Sequence, residues 1–157
     1  FGLIWDAELA EWKPADGCCD CPVVNVSWYG AKAFADCVGG ALPTEAQWEF
    51  ACRGGLEETP FGLGNGLDLT GDIAHIRATD RKTTAPVGSY SPNGFDLYDL
   101  HGNVSEWVAD WFDTNYYGGS GGFAWNPTGP ETGTHKVVRG GDFTMDKLSC
   151  RCAARAW

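Results

Sequence analysis

Apolar and polar residues follow a regular period in only a few short stretches of the chain, separated by long runs with none. Residues 22–28, PVVNVSW, alternate small and β-branched side chains as a strand does. Ser27 is placed to cap a helix running through AKAFADCV, which Gly39 and Gly40 would end. Residues 42–55, LPTEAQWEFACRGG, carry firmer boundaries. The Thr44 hydroxyl can cap a second helix while Gln47 reaches back to complete a capping box, and Gly54 with Gly55 supplies the stop. Trp48, Ala51 and Cys52 recur at spacings of three and four, which puts them on one helix face and predicts a core.

Residues 56–92 are rich in Gly, Pro, Thr and Asp, with only IAHI and APVGSY as short apolar stretches. A connection of that length should fold locally, around turns or an ion. Near the end, THKVVRGGDF and SCRCAARAW alternate like two strands. The pattern predicts an α+β domain, two helices packed on short antiparallel strands with little regular secondary structure. No repeat, low-complexity segment or linker divides residues 1–157, so one domain is expected.

Composition adds limits. Hydrophobic residues make up 43% of the chain, enough for a core and too many for disorder, while no apolar run approaches the roughly 20 residues of a membrane span. Acids outnumber lysine plus arginine 21 to 11, and a formal charge of −10 repels phosphate backbones, so nucleic acid is not an expected partner. Twenty-two glycines and eight tryptophans point to tight turns held by large aromatic plates. The start, FGLIWDAELAEW, has neither the basic region nor the cleavage site of a signal peptide.

Seven cysteines stand at 18, 19, 21, 37, 52, 150 and 152. In an oxidising compartment they would tie the C-terminal segment to the N-terminal half, with at least one thiol left over from an odd number. Zinc is the weaker reading of Cys18, Cys19 and Cys21, because no second cluster or His pair completes a site. In GFDLYDLHGNVSEWVADWF, residues 94–112, two carboxylates flank a Gly-Asn turn among aromatic residues. Calcium takes six to eight oxygens, and such a turn can wrap one ion with its carbonyls. Ordinary core packing is the competing reading.

Taken in order, PVVNVSWYGAKAFADCVGGALPTEAQWEFACRGG, APVGSYSPNGFDLYDLHGNVSEWVADWF, NPTGPETGTHKVVRGGDF and RCAAR resemble the formylglycine-generating enzyme family, or sulfatase-modifying factor domain. The resemblance runs from Pro22 to Arg155. It implies a C-type-lectin-like fold usually stabilised by calcium. Carried over by motif, the ligands would be the Asp99 and Glu106 carboxylates and the Gly102 and Val104 carbonyls. Asp72, His75 and Asp80 match a second calcium site of the family only loosely, since imidazole is a poor ligand for a hard cation, and no second ion is assigned there. The resemblance also implies a Cys52–Cys152 disulfide, and ends of the family domain that lie outside residues 1–157.

Active members of the family are expected to use two cysteines, which bind copper(I) and activate oxygen to convert a substrate cysteine into formylglycine. The matching segment here, RGGDFTMDKLSCRCAAR, holds only Cys150 and Cys152, with Asp142 where a serine is usual. Cys152 is taken by the disulfide that the resemblance implies, and no partner cysteine stands at the family's spacing from Cys150. The expectation is therefore a non-catalytic, calcium-stabilised module for a protein or glycan, its surface drawn from Trp111, Asp142, Phe143, Met145 and Trp157. Trp28, Trp48 and Trp107 are expected in the core, and His101 on the surface. The alternative is an oxidase with copper and Cys150 as its catalytic thiol, helped by Cys18, Cys19 or Cys21. A third is an accessory part of a larger extracellular assembly. Calcium and disulfides together favour an extracellular or periplasmic location.

Overall fold

The computed structural model describes residues 3–8, 10–14, 19–118 and 125–157. Strands β1 (Leu3–Asp6) and β2 (Glu11–Pro14) form an antiparallel hairpin at a place where no strand is predicted. Helices α1 (Trp28–Cys37) and α2 (Glu45–Arg53) follow, and much later β3 (Glu106–Trp111) and β4 (Lys136–Arg139) pair antiparallel, with a register shift between Trp107 and Trp111. Two helices and short antiparallel strands among long loops make this the expected α+β fold.

Both helices begin where their caps dictate. Gly30 donates to the Ser27 hydroxyl, and in α2 the Thr44 and Gln47 side chains satisfy each other's backbone N–H groups in a complete capping box. Gly54 ends α2 at φ 57°, a left-handed conformation that suits glycine. The helices differ in what they bury. Helix α2 buries Glu45, Trp48 and Cys52 against β3 and β4, whereas α1 buries none and is tied down through Trp28, whose indole N–H donates to the Val108 carbonyl at 2.8 Å.

Two predicted strands do not form. Residues 22–27 run irregularly because Asn25 adopts φ 59°, which breaks the extended run, and the Val26 carbonyl is taken by the Trp107 indole. Residues 149–155 are a series of turns, joined to β4 by a single bridge between Val138 and Ala156. Here the Arg139 guanidinium donates to the Cys152 and Ala154 carbonyls, so these backbone groups meet a side chain instead of a strand. The loop 56–92 folds around turns and one 3₁₀ turn at Arg77–Thr79, as its length requires.

Two apolar clusters hold these parts. Trp48, Cys52, Val108, Val137 and Cys152 form one, between α2 and the β3–β4 pair. Phe61, Leu69, Ala74, Ile76 and Cys150 form the other, under the long loop. Between them sits His101, 2% exposed, where a surface residue was expected. Its Nδ1–H donates to the Cys150 carbonyl at 2.7 Å and its Nε2 accepts from the Gly62 N–H at 3.0 Å, so a carbonyl and an amide fix the tautomer.

Candidate functional site

The turn between Asp99 and Glu106 is shaped by its backbone. Asp99 and Asn103 both take φ 59° and Gly102 φ 85°. A side chain at Gly102 would run into the His75 carbonyl, so that glycine is needed for close approach. Asn103 is 1% exposed, and its amide clamps Ala85 through both N–H and C=O. Asp99, Val104 and Glu106 line one cavity of about 450 Å³ with Pro22, Val87, Gly88 and Tyr98. Gly102 is not among the lining residues.

The two carboxylates are partly satisfied. Asp99 accepts from the Gly88 N–H at 2.7 Å and Glu106 from the Trp48 indole at 2.7 Å, each through one oxygen. Burial pushes the Glu106 carboxyl up to about 7, and the negative charge of Asp99 adds to the rise. Among the described residues no lysine or arginine pairs with either. Two acids lining one cavity with no lysine or arginine in its wall, each hydrogen-bonded through one oxygen only, offer the donor chemistry that a hard divalent cation takes.

The cysteines fall into three places. The Cys52 and Cys152 sulfurs lie 2.8 Å apart at the centre of the first cluster, with His101 Nε2 at 3.6 and 3.8 Å. Burial pushes the Cys52 thiol up, while a hydrogen bond from it draws the Cys152 thiol down. These three residues could converge on a metal, but both His101 nitrogens are already engaged with backbone groups. Cys150 is fully buried in the second cluster, its thiol pushed up to about 12 by burial and by Asp142 and Asp146. An apolar setting and nearby acids work against the thiolate that copper(I) needs, so Cys150 does not fit a copper site. Cys19 and Cys37 are exposed, and Cys18 lies outside the described residues.

The expected ligand surface divides. Asp142 and Phe143 line a groove of about 590 Å³ with Cys21, residues 22–26, Thr83, Asn103 and Trp107. Asp142 accepts from Thr144 N–H and hydroxyl, fixing the turn, and Phe143 stacks on His75 at 5.6 Å. Met145 packs against the second cluster and lines a separate cleft. Trp111 and Trp157 share an aromatic pocket elsewhere, with Trp28 and Trp107 half-buried in its wall, so of the three tryptophans expected inside only Trp48 is core.

Sequence reading missed the buried ion network. Arg139, 1% exposed, contacts Glu49 at 2.7 Å and Glu45 at 3.6 Å, and Arg155 holds both Glu45 oxygens at 2.7 and 2.8 Å. Its only sequence signal is an arginine followed by two glycines at the end of β4.

Comparisons with known proteins agree with this architecture. Residues 2–157 match the family model described as sulfatase-modifying factor enzyme 1-like domain. The formylglycine-generating enzyme of Thermomonospora curvata is 42% identical over 149 residues, covering 85% of this chain and 49% of that protein. That of Mus musculus is 38% identical over 149 residues, with 86% and 39% covered. The inactive C-alpha-formylglycine-generating enzyme 2 of Bos taurus is 34% identical over 186 residues, with 98% and 60% covered. The chain thus spans half or less of the length of the first two relatives. Among solved structures, Treponema denticola variable protein 1 superposes with a TM-score of 0.77 at 27% identity, covering 92% of this chain and 68% of that one. PvdO from Pseudomonas aeruginosa gives 0.72 at 29%, with 93% and 57% covered. On the family match and these likenesses together, the chain belongs to the sulfatase-modifying factor enzyme 1-like domain family.

Proposed function

We propose that this domain is a non-catalytic member of its family, a calcium-stabilised module that binds a protein or glycan partner outside the cytoplasm. The observation that carries this reading is the state of Cys150. It is sealed in an apolar cluster with its thiol pushed up to about 12, which suits an inert core residue and not a nucleophile or a copper ligand. Cys52 and Cys152 are better read as a structural disulfide pair, buried at the junction of α2 with the C-terminal segment. Asp99 and Glu106, with the Val104 carbonyl, would hold the calcium, whose charge would let Glu106 ionise despite its burial. A relative named as inactive supports the reading that the fold persists without the chemistry.

One observation favours the oxidase reading. Cys21 lines the same groove as Asp142 and Phe143, which brings a cysteine to that groove. The experiment that separates the two incubates the full-length protein, loaded with copper and in air, with a peptide carrying the Cys-x-Pro-x-Arg sulfatase motif. Mass spectrometry should find the peptide unchanged beside an active enzyme that converts it. Loss of the thiol with gain of an aldehyde would overturn the non-catalytic reading.

A further inference from the structure

We infer that the aromatic pocket between the start of α1, β3 and Trp157 is a binding site for a neutral carbohydrate, independent of the calcium turn. The inference rests on reading the domain as a binding module, and names the ligand class for one of its surfaces. The pocket encloses about 270 Å³. That lies just below the roughly 300–1,000 Å³ of drug-sized sites and suits one or two sugar rings better than a protein segment.

Its walls are set before any ligand arrives. Trp28 gives its indole N–H to Val108 and Trp107 gives its own to Val26, so the polar edges of both rings are tied to backbone carbonyls. The Lys136 ammonium lies between the Trp28 and Trp111 rings, 4.0 and 3.9 Å from their centres, and donates to the Ala109 carbonyl at 2.7 Å. A cation held between two indoles fixes both, so little ordering remains to be done on binding. Trp157 rests on Phe112 at 4.5 Å, and Tyr29, which also lines the pocket, is 74% exposed. Large aromatic side chains left in water around a preformed hollow are what a ligand would cover.

The ligand class follows from what the pocket accepts and rejects. Aromatic cages commonly take ammonium groups, but here the Trp28 and Trp111 rings already hold the Lys136 ammonium, and a cationic ligand would meet a like charge. The net charge of −10 disfavours acidic sugars and other polyanions. A pyranose offers a weakly positive C–H face to an aromatic ring and hydroxyls at its edge. The pocket answers with ring faces and, at its rim, Thr134 and His135, whose hydroxyl and Nδ1 already pair at 2.9 Å and leave the other ring nitrogen for a ligand hydroxyl. An apolar peptide side chain would use the faces but not this rim.

The test is an array of immobilised neutral oligosaccharides probed with the full-length protein, followed by titration of the best binder, read by tryptophan fluorescence. Binding should persist in EDTA. Trp157→Ala should weaken it about tenfold or more and Tyr29→Ala by a smaller factor, a scale set by loss of one aromatic stack. Both residues are exposed, so the variants should keep the wild-type melting temperature. The inference is overturned if no neutral saccharide binds, if both substitutions leave binding unchanged, or if a tryptophan-bearing peptide occupies the pocket and saccharides do not displace it. Conversion of the sulfatase-motif peptide would overturn the binding-module reading instead, whatever the array shows.

Discussion

Asp110 is an acid 1% exposed on the inward side of β3, where it accepts from the Glu45 N–H at 2.8 Å through one oxygen while the other has no protein partner. Burial pushes its carboxyl above the usual carboxylate range, and the charge of Glu45 adds to this. The folded chain therefore holds this proton at pH values where the unfolded chain has lost it, so raising the pH through that window lowers stability. Asp110→Asn keeps an oxygen for the Glu45 amide and removes the titration. Its stability, from urea unfolding at a series of pH values, should fall less steeply than wild type as the pH rises above the ordinary carboxylate pKa. The cysteines give a second expectation. The Cys52 and Cys152 thiols, 2.8 Å apart, are close enough to oxidise to the proposed disulfide, which across 100 residues would add up to about 4–5 kcal/mol in the chain-entropy model, so a reductant should destabilise the oxidised wild type and leave Cys152→Ser indifferent. In the folded protein Cys37 should react with iodoacetamide and Cys150 should not. At this scale the sequence reveals residue types but not their surroundings. Nothing around His101 in the chain tells that Gly62 and Cys150, each remote in sequence, seal it between two clusters.

Elements whose signals are local were legible, and those made by distant partners were not. The α2 helix carries its cap, its box and its glycine stop within eleven residues of sequence, Thr44 to Gly54, and forms as read. Thr44→Ala should cost about 1 kcal/mol in denaturant unfolding, since the Gln47 amide loses its partner. Ser27→Ala should matter less, because α1 buries no residue and its fraying exposes little. Strand β3 escaped the alternation test because its inward positions are Val108 and Asp110, one apolar and one acidic, while tryptophans sit at the half-exposed ones. Residues 22–27 pass the same test and still fail to pair, because Asn25 turns the backbone and the indole of Trp107 takes a carbonyl that a ladder would need. The motif-bearing turn at 99–106 was legible as a unit, though Gly102 acts through its backbone conformation and lines no part of the cavity.

For the molecule as a whole, calcium should act as a stabilising ligand of the native state. Adding it should raise the melting temperature, EDTA should reverse this, and the pair Asp99→Asn with Glu106→Gln should respond to neither. At a hundredfold excess over the dissociation constant the gain would be about 2.7 kcal/mol, if the unfolded chain does not bind. A gain that survives in the double variant would place the ion elsewhere.

The buried guanidinium of Arg139 has a dynamic corollary. It touches Glu45 and Glu49 of α2 on one side and the Cys152 and Ala154 carbonyls on the other. Peeling away residues 150–157 would strand that charge beside two acids in a dry interior, and melting α2 would strand it beside bare carbonyls. Neither half can loosen alone at low cost, which makes them one cooperative opening unit. Native-state hydrogen exchange should find the amides of Cys152 and Ala156 slowing and quickening together with those of α2, while α1 exchanges on its own, faster schedule.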